Sequence, residues 1–374
     1  MESVRARNLL SFGSRGLDLE LRDLNVIIGA NSSGKSNLVG LFSLLQAAPT
    51  DITKPIGAGG GIQEWLWKGA DAPAAELSVT LRREIEPIAL RYTVAFRQGG
   101  QRFALVDEKI DGVGSGISYY HRLTEQAVRK QSVPPQAWEP HRSVLAQWRG
   151  PQYPEITWIA NSLERIKIYQ DWLFDRTAGV RHPQRTDLPS DFLWEDAGNL
   201  ALVLDDLNFR GLSGTIEEHL NLVNPDFRKL KTRTAGGTIQ VYLEEQGLNS
   251  PTPASRLSQG ALQLLCLLVV LLHPDPPPLI CLEEPEKGLH PDILPELAKL
   301  LVTASERTQL IVTTHSEILV DALSDTPEAV IVCEKEKGET SLRRLAKSDL
   351  TDWLDGYGSL GKLWRTGAIG GNRW

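Results

Sequence analysis

The chain has 374 residues, 41% hydrophobic and 23% charged, which is enough apolar material for one large domain or two modest ones. Its formal net charge of −7 excludes wholesale attraction to nucleic acid or an anionic membrane, though not a local basic groove. Cys266, Cys281 and Cys333 sit in apolar runs without metal-ligand spacing, so neither a disulfide framework nor a zinc site is expected.

Met1 to Arg7 lack the apolar stretch of a secretory signal, and the expected compartment is the cytoplasm. Alternating apolar residues predict β segments over Val4 to Ser11 and Leu17 to Leu21, with Gly13 to Gly16 as the turn. A third strand, Asn25 to Ile28, runs into Gly29-Ala30-Asn31-Ser32-Ser33-Gly34-Lys35-Ser36, the pattern G-x-x-x-x-G-K-S, and then into a helix ending near Ala48. Glycines at both ends of such a loop let backbone N–H groups converge on phosphate oxygens, and the helix N-terminus adds its positive dipole end. The expected phosphate-binding set is Asn31, Ser32, Ser33, Gly34, Lys35, Ser36 and Asn37. Lys35 should reach the β- and γ-phosphates, and the Ser36 hydroxyl should ligate Mg²⁺.

Pro55 to Gly61 reads as a glycine-rich loop. Glu76 to Arg82, Ala89 to Phe96 and Arg102 to Val106 read as an antiparallel region, with Gln98 to Gln101 as a turn. From Tyr119 to Asn224 the segments look helical and carry Trp138, Trp148, Trp158, Trp172 and Trp194, which suggests a helical lobe inserted into the sheet domain. Phe227 to Thr234 and Thr238 to Glu244, joined by Gly236-Gly237, predict a hairpin.

Arg256-Leu257-Ser258-Gln259-Gly260 precedes the apolar helix Leu262 to Leu272, where Ser258 taken alone is an N-cap. The Leu264 to Leu272 run is far short of the ~18 residues of a membrane span. Leu279 to Leu282 is a short buried strand ending in Glu283 and Glu284, at the edge where open α/β sheets bind ligands. Two carboxylates there call for a cation: Glu283 is placed to hold Mg²⁺ through water, and Glu284 to act as general base on an attacking water. The strand Gln309 to Val312 ends in Thr313-Thr314-His315-Ser316, so His315 emerges at the same edge. A lone histidine there is commonly structural, and the neighbouring motifs argue for more.

In this order the motifs resemble an ABC-type ATPase head, and the chain is identified as a member of the SMC/RecF/OLD-like branch. It is similar to stand-alone ATPases of bacterial defence and repair loci. The resemblance rests on Gly29 to Leu38, Arg256 to Gly260, Leu282 to Pro291 and Ile311 to Ser316, with the ending Gly358 to Gly371 resembling the narrower group. It implies an α/β P-loop NTPase fold with a mixed core sheet, an antiparallel β subdomain and an inserted helical lobe. Residues 1–118 and 225–345 would form the discontinuous nucleotide lobe, 119–224 the insertion, and 346–374 a tail that docks a partner or dimer mate.

The family implies ATP and Mg²⁺ as cofactors and slow hydrolysis. It implies a head-to-tail homodimer around two ATP molecules, in which Ser258, Gln259 and Gly260 close on the γ-phosphate bound by the other copy. His315 would sense that phosphate, and Pro285 to His290 would couple the two sites. Glu283 replaces the Asp usual in the wider superfamily, and Gln259 stands where Asp or Gly is common. The glutamine linking metal to the helical lobe stays open among Gln46, Gln63, Gln98, Gln101 and Gln170.

SMC-type arms are absent, and the sequence after His315 is too short for a Toprim module, so Glu334 to Gly338 reads as a hairpin turn. The expected role is a sensor, scaffold or switch for a separately encoded effector such as a nuclease in antiphage defence. The alternative is a RecF-like DNA clamp using Lys229, Lys231 and Arg233, with Arg181 and Arg185 as further contacts. A transporter ATPase subunit fits least.

Overall fold

The computed structural model describes residues 1–69, 74–83, 88–100, 102–123, 126–128, 139, 141–170, 172, 174–349 and 359–371. Strands β1 (Ser3–Arg7) and β2 (Leu17–Glu20) pair antiparallel, with Val4 opposite Leu19. β3 (Leu24–Ile28), buried at every position, feeds the glycine loop and α1 (Lys35–Ala47). α2 (Thr53–Ala58) and α3 (Ile62–Trp65) follow. The expected loop from Pro55 to Gly61 is therefore partly helical. Asp51 accepts the Thr53 amide at 3.0 Å, and Pro55 falls in the first turn, where its missing N–H leaves no bond unmade.

β4 (Ala75–Arg82), β5 (Ala89–Gly99), β6 (Arg102–Gly112), β7 (Ser118–Leu123) and β8 (Gln126–Val128) join the first two strands in a seven-stranded antiparallel sheet, order β2-β1-β4-β5-β6-β7-β8. Gln101 of the expected turn and Trp138 lie outside the described residues. α4 (Val144–Gln147) and α5 (Pro154–Glu164) then lead to β9 (Lys167–Tyr169).

A helical lobe starting at residue 119 is thus not what the chain builds there. β7 and β8 extend the antiparallel sheet, and β9 joins the central one. The tryptophans mark an interface: Trp148 meets Tyr120 edge-on at 5.5 Å and stacks on Tyr153 at 5.2 Å, tying α4 and α5 to the sheet. Beneath them the buried Glu108 carboxylate accepts from Tyr92 Oη (2.8 Å), Ser143 Oγ (2.6 Å), the Val144 amide (2.9 Å) and Arg122 Nη2 (3.2 Å).

After β10 (Gln184–Arg185), the helices α6 (Leu200–Phe209) and α7 (Ser213–Val223) precede the hairpin β11 (Phe227–Ala235) and β12 (Thr238–Glu245), which matches the expected hairpin. β13 (Thr252–Pro253) leads to α8 (Gln259–Leu272), buried continuously from Leu262 to Leu271, as an all-apolar helix must be. Then come β14 (Leu279–Glu283), α9 (Leu294–Ser305), β15 (Gln309–Thr314), α10 (Glu317–Asp321), the hairpin β16 (Val330–Glu336) with β17 (Glu339–Arg344), and α11 (Leu360–Arg365).

The central sheet runs β17-β16-β3-β15-β14-β9, parallel throughout except for β17. Both of its faces are covered, as the unbroken apolar strands require. Ile27, Cys281, Ile311 and Ile331 pack with α1 and the antiparallel sheet. Val26, Ile280, Leu282 and Val312 pack with α8 and α9. All three cysteines are buried and free.

Candidate functional site

Because β3, β15, β14 and β9 are parallel neighbours, the residues that follow them converge on one edge of the sheet. Gly34 caps α1 at φ +115°, and a Cβ there would lie 2.2 Å from Thr340 Oγ1, so only glycine fits. Thr340 Oγ1 braces the loop by donating to the Ser33 carbonyl at 2.7 Å. Among the described residues no side chain caps α1, so its first amides lack a side-chain acceptor, as a helix N-terminus that takes an anion does. Asn31 and Ser32 are exposed on the loop, whereas Asn37 donates to Ser11 Oγ at 2.7 Å.

Lys35 is buried, and its Nζ donates to the Gly29 carbonyl at 2.9 Å and the Ala30 carbonyl at 3.0 Å. Burial holds its pKa below the usual lysine value, against the opposing pull of nearby groups including Glu284 and Glu283. Ser36 Oγ donates to Glu283 Oε1, so a hydroxyl from α1 and a carboxylate from β14 face the same point. Among the described residues no cluster of three or more His, Cys, Asp or Glu forms a closed metal cage. One hydroxyl and one carboxylate fit a hard divalent cation whose remaining ligands are phosphate oxygens and water.

Glu284 sits in the left-handed region at φ +47° with its amide donating to the Thr313 carbonyl at 3.0 Å, a strained backbone of the kind concentrated at active sites. Its Oε1 lies 3.3 Å from His315 Nε2. Burial and the Lys35 ammonium keep His315 below the ordinary imidazole pKa, while Glu284 pulls it up. Sequence reasoning gave no separate role to Glu286. Its Oε1 accepts the Thr314 hydroxyl at 2.6 Å and the His315 amide at 2.9 Å, and burial raises its pKa. Only its place two residues after Glu284 could have signalled this bond between the two strand ends.

A cavity of about 410 Å³ opens beside these groups, lined by Ser36, Gln170, Gln263, Glu283, Glu284 and Lys287 among others. Of the five glutamines the sequence left open, Gln170, directly after β9, is the one on this wall. Gln46 is engaged by the Ile166 carbonyl at 2.7 Å and Glu195 Oε1 at 2.6 Å, and Gln98 by the Gly100 carbonyl at 2.7 Å. Gln263, on the buried helix α8, was not anticipated.

Ser258, Gln259 and Gly260 do not line that cavity. Ser258 and Gln259 are exposed at the start of α8, which begins at Gln259 rather than at Leu262, and Ser258 Oγ accepts the Ala261 amide at 3.1 Å. Arg181, expected as a possible DNA contact, is instead buried. Its guanidinium donates to the carbonyls of Leu257 (2.6 Å) and Phe174 (2.9 Å), holding the segment before Ser258. Arg185 pairs with Asp187. Lys229, Lys231 and Arg233 are exposed along the edge strand β11, with Lys231 paired to Glu244.

No curated protein matches the chain in sequence. In fold it is similar to an SMC head bound to the C-winged helix domain of ScpA, at 16% identity, covering 93% of this chain and 98% of that one with a TM-score of 0.60. It is similar to the Smc head domain with an extended coiled coil, bound to the C-terminal domain of ScpA, from Pyrococcus furiosus, at 14% identity, 95% and 98% coverage and a TM-score of 0.61. A third likeness is to the Smc head domain with a coiled coil and joint from Pyrococcus yayanosii, at 11% identity, 96% and 99% coverage and a TM-score of 0.57. No described helix is long and apolar enough to cross a membrane. The family described as "AAA domain, putative AbiEii toxin, Type IV TA system" matches residues 24–321, and the chain belongs to it, with a P-loop NTPase fold like that of the SMC heads.

Proposed function

We propose that the protein hydrolyses ATP slowly, dimerises head to tail around two ATP–Mg²⁺, and acts as a nucleotide-dependent switch for a separate effector, such as a nuclease in antiphage defence. The observation that carries this reading is the placement of the motifs. Lys35, Ser36, Glu283, Glu284 and His315 meet at one sheet edge, whereas Ser258 and Gln259 stand exposed and off the cavity, available to a second copy.

Bound ATP–Mg²⁺ supplies the γ-phosphoryl bond that is broken and the charge around which an interface can close. Lys35 Nζ, held by the Gly29 and Ala30 carbonyls, has a third N–H that would donate to a phosphate oxygen. Ser36 and Glu283, which face the same point, would hold the Mg²⁺. Glu284 accepts the proton of the attacking water, and His315 Nε2, 3.3 Å away, orients that carboxylate. On the opposing copy, the N-terminal turn of α8 directs its dipole and the Ser258 hydroxyl at the γ-phosphate. Contacts made only with ATP shift the open–closed equilibrium, which is what a switch requires.

The test is the size of the Glu284→Gln protein by light scattering without nucleotide, with ADP, and with ATP–Mg²⁺. Doubling with ATP alone supports the reading, and the Ser258→Arg substitution in the same chain should abolish it. A size indifferent to nucleotide rejects ATP-dependent assembly.

A further inference from the structure

The segment 359–371 runs from the helix that follows His315 to the back of the phosphate loop. At its first end, α11 docks on α10: the Gly361 amide donates to Asp321 Oδ1 at 3.1 Å, and the Leu360 amide to Ser324 Oγ at 2.9 Å. α10 itself starts directly after His315, with Ser316 Oγ capping it. Leu360, Leu363, Trp364 and Ile369 are buried in the same core as Val26 and Ile28 of β3. At the other end, the turn is pinned twice, by Arg343 Nη2 donating to the Ile369 carbonyl at 2.8 Å and by the Gly371 amide donating to Glu334 Oε1 at 3.0 Å.

These two anchors set Gly371, at φ +77°, against the first glycine of the phosphate loop. A Cβ on Gly371 would lie 3.5 Å from Gly29 Cα and 3.0 Å from Val332 Cγ1. Gly29 itself has no space for a side chain, since a Cβ there would lie 2.2 Å from the Cys333 carbonyl oxygen. Gly29 is therefore held between β16 and the C-terminal turn. Its carbonyl in turn accepts from Lys35 Nζ at 2.9 Å.

We propose that Gly371 and the segment 359–371 position the phosphate loop, fixing Gly29 and through it Lys35, and link the loop to the His315 helix, so that nucleotide binding and the packing of this segment are thermodynamically coupled. The proposal rests on the reading of Lys35 as a phosphate ligand and does not require dimerisation. Coupling is reciprocal: a segment that sets the affinity for nucleotide must itself be tightened by nucleotide.

The test compares Gly371→Ala, Gly371→Leu and Val94→Ala in the full chain, using a fluorescent ATP analogue with Mg²⁺ at protein concentrations where the wild type is monomeric. Both Gly371 variants carry the positive-φ strain, and leucine adds bulk beyond a Cβ that would already touch Val332 Cγ1, Trp364 Nε1 (3.3 Å) and Gly29 Cα. Gly371→Leu should weaken binding by about tenfold or more. Val94→Ala, which hollows the core of the antiparallel sheet outside segment 359–371, should lower Tm while leaving affinity within about twofold. In the wild type, ATP–Mg²⁺ should slow amide exchange in the 359–371 peptide, and Lys35→Met should remove that protection. The proposal is overturned if Gly371→Leu binds like the wild type, if Val94→Ala loses as much affinity at a matched Tm, or if nucleotide leaves exchange in this peptide unchanged. A wild-type protein that binds no nucleotide would instead reject the phosphate site itself.

Discussion

His315 Nε2 lies 3.3 Å from Glu284 Oε1, and the two side chains answer to each other electrically. Burial and the Lys35 charge push the His315 pKa below 6.5, and Glu284 opposes them. A histidine with a depressed folded-state pKa contributes stability that is present above its unfolded pKa and lost as pH falls through the folded value. In nucleotide-free protein the His315 ring should therefore titrate below about 6.5 by NMR. Removing the opposing carboxylate with Glu284→Gln should lower it further, and Lys35→Met should raise it. A rise in Glu284→Gln would contradict the geometry.

The same Glu284→Gln substitution keeps a hydrogen-bonding side chain but removes the base. Phosphate release should fall by about 10² to 10⁴ while nucleotide affinity persists. Undiminished turnover would take the role of base away from Glu284.

Glu286 controls His315 from behind, by accepting the Thr314 hydroxyl and the His315 amide. Replacement by Ala leaves both donors without that acceptor, at a cost of about 1–3 kcal/mol. The expected result is a fall in kcat with KM for ATP little changed, and Thr314→Val, which removes one of the two bonds, should show the same split more weakly.

Glu108 and Arg122 form an ion pair at 3.2 Å beneath α4, with both side chains almost completely buried. Glu108→Leu should destabilise the protein by about 3–5 kcal/mol, because Arg122 loses its countercharge in the interior. Adding Arg122→Met should recover much of that loss in urea unfolding. Equal stability of the single and double variants would show that the pair is not the source of the cost.

Gly34→Ala introduces two faults at once, a Cβ 2.2 Å from Thr340 Oγ1 and a non-glycine residue at φ +115°. Nucleotide binding measured by equilibrium dialysis should be lost. Thr340→Ala in the same chain removes the closest contact but leaves Ser11 Oγ 2.8 Å from that Cβ and the strained backbone, so it should recover only part of the affinity.

The sequence by itself marked where each motif lies and the local structure around it. Strand-loop-helix order around Gly29 to Ser36, the carboxylates after Leu282 and the histidine after Thr314 are local patterns, carried by glycine freedom, short apolar runs and the charges that end them. The β11–β12 and β16–β17 hairpins were legible for the same reason, since Gly236-Gly237 and Lys337-Gly338 satisfy tight turns within a few residues. Misreadings came where distant segments decide. Tryptophan-rich residues around Trp148 looked like a separate lobe because the sequence does not reveal that Tyr120 and the Glu108 network lie beneath them. Arg181 looked like a surface cation until the Leu257 and Phe174 carbonyls were found around it. Tertiary structure alone singled out Gln170, brought Glu286 under His315 and set Gly371 against Gly29. Those relations depend on parallel strands far apart in the chain arriving at one edge, a long-range pairing that no local periodicity encodes.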